Sequence, residues 1–255
     1  MRATDSTTDR ANPTNHADTL SRLRAVIAQR EGRTSLTDMV VDSGSGAIAE
    51  PCQRIRDSLA TGWPDGDLPL RALHEFALTG TLAHGDAFAP VGVMVALLRR
   101  FAEQMADHRM ELVESTRRSF PIAFIGEWCW PHAESLQPDL WRDAVWVRAS
   151  RAMDRSWCAE QALAEPGIAA VVVDARDFDL TATRRLHLAA RRAEMPPALV
   201  LGLRRAKELT GNSPSAAISR WMVTAEAGAA PLAPPSWTVQ LVRAKVRLPA
   251  TTIIA

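Results

Sequence analysis

Lysine is scarce in this chain. Of 30 basic residues among 255, only Lys207 and Lys245 are lysines, and the rest are arginine. The skew reads as genome composition before function, although a planar guanidinium suits phosphate and carboxylate better than an ammonium does. Net charge is scarce too: at +1, no protein-wide field steers the chain to nucleic acid, so binding of that kind needs a local patch. Cysteine is limited to Cys52, Cys129 and Cys158, an odd and widely spaced set without a C-x-x-C pair. That argues against a disulfide framework and fits a reducing compartment. No apolar run approaches the ~20 residues needed to cross a bilayer. The opening "MRATDSTTDRANPTNHAD" is polar throughout, unlike a secretory signal. The expectation is therefore a cytoplasmic protein without membrane contact.

Several catalytic signatures are also missing. There is no Gly-x-Ser-x-Gly elbow and no paired-carboxylate pattern. Cys129 and His132 have C-x-x-H spacing, but no second pair completes a zinc set, so neither a metal nor any other cofactor is expected.

What is present is a 47% hydrophobic composition, enough for one sizeable core with appendages. Residues 1–16 read as a disordered tail and 17–50 as a helix followed by a Gly/Ser/Thr-rich linker, with at most a short strand at 39–41. In "ADTLSRLRAVIAQR" (residues 17–30) Leu20, Leu23, Val26 and Ile27 share one helical face. That stripe packs on the protein's own core or docks on a partner or neighbouring protomer. From residue 51 a regular alternation takes over. Strands are predicted at 72–78, 121–126, 144–148, 168–174 and 198–203. Helices are predicted at about 90–108, 131–142, 152–165 and 181–194. Strands that read as solid apolar runs between helices imply a mainly parallel sheet with helices on both faces, an α/β fold. Beyond Asn212, "SPSAAIS" reads as one helical turn with Pro214 at its first position. Two further strands are expected at 220–225 and 236–243, and residues 244–255 read as a C-terminal tail.

The loop "GTLAHGDA" (residues 80–87) follows the first of these strands and precedes a helix. Gly80 and Gly85 have the spacing of the phosphate-cradling G-x-x-x-x-G-K-[ST] loop, but Asp86 stands in the Lys position and Ala87 in the Ser/Thr position. At about 4 Å and an effective dielectric of about 20, one charge pair amounts to about 4 kcal/mol, so reversing the cation disfavours a triphosphate by roughly twice that. Asp86 is also placed to cap the following helix, meeting the positive end a phosphate would otherwise meet. This degenerate loop is expected not to bind nucleoside triphosphate in the usual way.

Asp174 closes the apolar strand "IAAVVVD", where a nucleotide-binding sheet keeps its magnesium-positioning acid. With Ala87 removing the other magnesium ligand, an ordinary strand-terminal polar residue is the favoured reading. Glu127 stands where a water-activating carboxylate could sit. Trp128 and Trp130 flank Cys129 in a loop and read as packing anchors, with an exposed partner or base-stacking surface as the alternative. Arg204, Arg205 and Lys207 leave the carboxyl end of the last core strand, where ligands gather in open α/β sheets. With Arg220 they form either a solvated loop or a DNA or partner contact.

Taken in order, "SLATGWPDGDLPLRALHEF", "IAAVVVDARDFDLTATRRLHLAARRAE" and "LVLGLRRAKELTGNSPSAAISRWMVTAE" resemble a RecA-like core over residues 51–243. The "ALHE", "DLTATRRLHLAA" and "PSAAISRW" segments resemble more closely the ImuA family, RecA-like accessories of bacterial damage-induced mutagenesis cassettes. That resemblance implies a non-catalytic adaptor in the SOS response, supporting translesion synthesis. Its implied partners are ImuB, an inactive Y-family polymerase homologue, and an error-prone C-family polymerase, with RecA and single-stranded DNA as further candidates. The recombinase's Lys and Thr correspond to Asp86 and Ala87, so ATPase activity is not carried over. Its nucleotide-sensing Asn-Gln pair corresponds to about Gly202-Leu203. The alternatives are a RecA-like ATPase or a single-stranded DNA-binding protein with an unorthodox nucleotide site.

Overall fold

The computed structural model describes residues 58–79, 90–110, 121–131, 138, 142–193, 198–226 and 236–246. The expected helix bearing Leu20, Leu23, Val26 and Ile27, the strand at 39–41, and the loop with Gly80, Gly85, Asp86 and Ala87 lie outside those residues. So do the C-terminal tail beyond residue 246 and most of the helix expected at 131–142.

A short ribbon comes first, β1 (Ser58–Leu59) paired antiparallel with β2 (Leu68–Pro69). The remaining elements are β3 (Ala72–Thr79), α1 (Val91–Met110), β4 (Ile122–Ile125), β5 (Val145–Val147) and α2 (Ala152–Ala164). They continue with β6 (Ala170–Asp174), α3 (Leu180–Arg192), β7 (Leu199–Leu203), α4 (Ala206–Thr210), β8 (Ser219–Glu226) and β9 (Ser236–Ala244). Strands β3 to β9 form one seven-stranded sheet in the order β5-β4-β6-β7-β3-β8-β9. Every pairing is parallel except β8 with β9.

The sequence explains this layering. Every residue of β4 ("IAFI"), β6 ("AVVVD") and β7 ("LVLGL") is buried, as a strand covered on both faces requires. On one face, Met94, Leu97 and Phe101 of α1 join Phe76, Phe124 and Trp221 in the main core. The alternate residues Ala77 and Met222 meet Leu209 of α4 instead, so α4 covers the opposite face. Helix α3 packs on α2 and β3, and buries Thr183, Leu186 and Ala190. Asp179 caps it, its carboxylate accepting from the Ala182 amide at 2.7 Å. Among the described residues, no helix is long and apolar enough to cross a membrane.

One expected element is corrected. Residues 212–217 are not a helical turn; the nearby helix is α4, over Ala206–Thr210. Tertiary bonds hold "SPSAA" open: the Ser215 hydroxyl donates to Glu75 Oε1 at 2.8 Å and accepts from the Ala217 amide at 3.0 Å. The Ala216 amide donates to Thr183 Oγ1 at 3.0 Å. The turn of helix forms earlier because the Glu208 carboxylate accepts from the Arg205 amide at 2.8 Å, the returning half of a capping box.

A polar relay ties the amino end of β3 to β8. The Trp221 indole can only donate, and it gives its proton to Ser219 Oγ at 2.6 Å. Ser219 in turn sits 2.6 Å from His74 Nδ1, and His74 Nε2 lies 2.8 Å from the Pro69 carbonyl. That carbonyl can only accept, so Nε2 carries the proton and Nδ1 accepts from Ser219. Full burial pushes the His74 imidazole down to about 4.

Candidate functional site

The parallel strands bring their carboxyl ends to one edge, where open α/β sheets bind ligands. Strand β7 lies between β3, which leads into the glycine loop, and β6, which ends in Asp174. Asp174 is 1% exposed, and both of its carboxylate oxygens are taken. Arg176 grips them bidentately, Nε donating to Oδ1 at 2.7 Å and Nη2 to Oδ2 at 2.6 Å. Arg155 of α2 adds a second cation, its Nε 4.0 Å from Oδ2 and 2.6 Å from the Asp174 backbone carbonyl. The Arg155 guanidinium also donates to the Ser150 carbonyl, and to the Arg176 carbonyl at 2.7 Å.

This packing leaves room for nothing larger than hydrogen at residue 126. Gly126 has φ 119°, and a Cβ there would lie 2.5 Å from the Asp174 Cβ. Magnesium would therefore have to displace a charge-assisted bidentate pair on a carboxylate shielded from solvent. Breaking such a pair costs about 3–5 kcal/mol. The acid that sequence position marked as a metal-positioning group serves here as the anchor of two arginines.

Glu127 is committed as well. It accepts from Arg148 Nε at 2.9 Å and Ser150 Oγ at 3.2 Å, and these bonds, Arg148 first, hold its carboxyl below the usual range. Trp128 and Trp130 are 44% and 41% exposed, with the Arg176 guanidinium 4.7 Å above the Trp128 ring. Trp130 meets Trp146 edge-on at 5.8 Å, and Trp146 stacks on Phe124 at 4.5 Å. Each ring thus meets a neighbour on one side and faces solvent on the other. Cys129 between them is buried, its thiol donating to the Ile125 carbonyl at 3.2 Å, and burial pushes it up to about 12. Among the described residues, no group of three or more His, Cys, Asp or Glu side chains is placed to hold a metal ion.

The basic group expected at the end of β7 divides in two. Arg204 and Arg220 are interior residues, 3% and 4% exposed, and neither offers a surface contact. The reason is Glu75, a fully buried acid on β3. Arg220 Nε lies 3.0 Å from Glu75 Oε2, and Arg204 Nε lies 3.7 Å from Glu75 Oε1 and 3.5 Å from Glu208 Oε2. Arg204 Nη1 also donates to the Ala175 and Phe178 carbonyls at 2.7 and 2.9 Å. Arg205 is half-buried and paired with Asp177, whose carboxyl the bond to Arg205 holds low, while Lys207 is exposed.

Sequence reasoning missed Glu75, Arg155 and Arg176. The signal for Glu75 was an acid in the middle of "ALHEFAL", since a charge on a covered strand must find a partner inside. The sign of that partner was readable there; its identity was not.

The fold and this edge define the class: a mostly parallel seven-stranded α/β sheet flanked by helices, consistent with a RecA-like domain. No protein-family model matches the chain. It is 31% identical over 195 residues to Protein ImuA of Caulobacter vibrioides strain NA1000 / CB15N, covering 72% of this chain and 74% of that protein. The same figures hold for Protein ImuA of Caulobacter vibrioides strain ATCC 19089 / CIP 103742 / CB 15. The chain belongs to the ImuA family.

Proposed function

We propose that this protein is a non-catalytic RecA-like adaptor of damage-induced mutagenesis, supporting translesion synthesis alongside ImuB and an error-prone C-family polymerase. Family membership supports the setting. The observation that carries the non-catalytic part is the internal neutralisation of Asp174 by Arg176 and Arg155. It joins the reading of Asp86 and Ala87 in the glycine loop, where a cation and a hydroxyl are replaced. A sheet whose would-be metal acid is spent on its own scaffold is suited to presenting surfaces.

The test is reconstitution of purified chain, ImuB and polymerase, read by co-elution and by synthesis past a lesion. A stable complex and higher bypass with this protein are expected. Absence of contact with either component contradicts the reading.

A second reading has its own observation. Trp128 and Trp130 present exposed rings on the edge that also carries Arg205 and Lys207, and single-strand binders combine stacking faces with cations. Salt-sensitive binding of a single-stranded oligonucleotide, lost when both tryptophans become alanine, distinguishes it.

A further inference from the structure

The solvent face of α3 is a surface that the proposed function does not use. The helix turns Thr183, Leu186 and Ala190 inward, and its period brings Leu180, Arg184, Leu188 and Arg191 together on the solvent side. All four are exposed, Leu180 by 45% and Leu188 by 40%. A single surface leucine is ordinary. These two share one side of the helix, about 12 Å apart along its axis, with Arg184 between them.

Charge on this helix has one sign, which is an independent observation. The run "LTATRRLHLAARR" contains four arginines and no acid, in a chain whose net charge is +1. Arg185 is bound to Glu160 at 2.8 Å, on the side where α3 packs against α2. Arg191 and Arg192 occupy the last turn, where cations complement the helix dipole. Arg184 stands mid-helix, apart from that pair and that end, and between the two leucines. The face is therefore apolar and basic at once.

We propose that this face docks an acidic amphipathic helix of a partner protein, with aliphatic side chains along one side and carboxylates beside them. Apolar positions spaced by whole turns are how one helix engages another. The partner's aliphatic side chains pack around Leu180 and Leu188 while its carboxylates reach Arg184 and Arg191, whose alkyl stems widen the apolar strip. The chain's own surfaces fit less well. Residues 17–30 would bring Arg22, Arg24 and Arg30 with the single acid Asp18, and the same face of a second copy would set arginine against arginine. Nucleic acid gains nothing from the leucines, and these four side chains include no ring on which a base could stack. The inference gives the adaptor reading a surface and rests on that reading for its biological setting. Its test uses isolated protein, so failure here leaves the complex with ImuB and polymerase to be judged separately.

The experiment measures fluorescence anisotropy of labelled probes titrated with the full chain at physiological salt. Four probes are compared: a helical peptide with leucine along one side and glutamate elsewhere, the same peptide with serine for leucine, the leucine peptide with lysine for glutamate, and a thymidine oligonucleotide. The glutamate–leucine peptide is expected to bind about tenfold more tightly than the glutamate–serine peptide, and the lysine peptide not at all. Leu188→Ser and Arg184→Gln are each expected to weaken the glutamate–leucine peptide about tenfold. Arg184→Glu is expected to weaken it further and to admit the lysine–leucine peptide. Each substitution is on the exposed face, so thermal unfolding is expected to match the wild type, and the lysine peptide's gain is a readout that misfolding would not give. Failure of the glutamate–leucine peptide to bind, or binding that ignores Leu188→Ser and Arg184→Gln, overturns the proposal. Equal binding of the serine peptide, or tighter binding of the oligonucleotide, also overturns it and makes the face a plain anion or nucleic-acid surface.

Discussion

At the carboxyl edge of the sheet, Asp174 meets Arg155 and Arg176 and Glu127 meets Arg148, while within the sheet Glu75 meets Arg204 and Arg220. At the amino edge, Arg71, His187 and Arg191 are the polar side chains that line a groove of about 420 Å³. The edge where α/β sheets usually bind ligands thus has its acids paired with its own arginines, while basic side chains gather at the amino edge. The difference teaches that the chain keeps a mostly parallel α/β sheet while its carboxyl-edge acids serve internal cohesion.

The largest effect is expected from cutting the internal pairing. Glu75→Ala leaves Arg220 without its acid in the interior and Arg204 with Glu208 alone, and breaking such a buried set costs about 3–5 kcal/mol. Urea unfolding measures it. A loss below about 1 kcal/mol would mean that water or rearrangement compensates the arginines, and the contrast between the edges would weaken.

Acid tests the interior beneath the amino edge. His74 is held at about 4 in the fold, against an ordinary value of 6.5, so the folded state binds its proton later than the unfolded chain does. Its contribution is complete above pH 6.5 and falls as pH drops through 6.5 toward 4, a loss of about 3 kcal/mol. Urea midpoints measured from pH 7 to 4 follow it, and His74→Gln is expected to flatten that part of the profile. A wild-type profile already flat there would contradict the neutral relay from Trp221 to Pro69.

Gly126→Ala is expected to destabilise by about 2 kcal/mol, since the new methyl meets Asp174 and the backbone is left-handed. A neutral outcome would show that Asp174 and Arg155 can move apart, sharpening the question of how firmly that edge is closed.

Much of the sheet was legible because its strands are short, apolar and separated by amphipathic helices. Strands β3 to β7 and helices α1 to α3 fall within a few residues of their expected places. The α4 helix and the extended "SPSAA" segment were misread, because Ser215 and Thr183 bonds from distant elements decide that stretch. The ribbon of β1 and β2 left no recognisable signal, each strand having two residues. At the site, Asp174 was identified by position, but its role depends on Arg155, 19 residues earlier and on a neighbouring helix. Arg204 and Arg220 looked like surface cations because the sequence shows charge and not burial. The groove was invisible for the same reason, since its lining comes from four separated segments.

The central claim is that the carboxyl edge does not serve magnesium–nucleotide chemistry. Isothermal titration of magnesium–ATP into the full chain tests it most directly, with Asp174→Ala run in parallel. The expected result is no saturable heat from either protein. Saturable, magnesium-dependent binding to the wild type that disappears in Asp174→Ala would contradict the account.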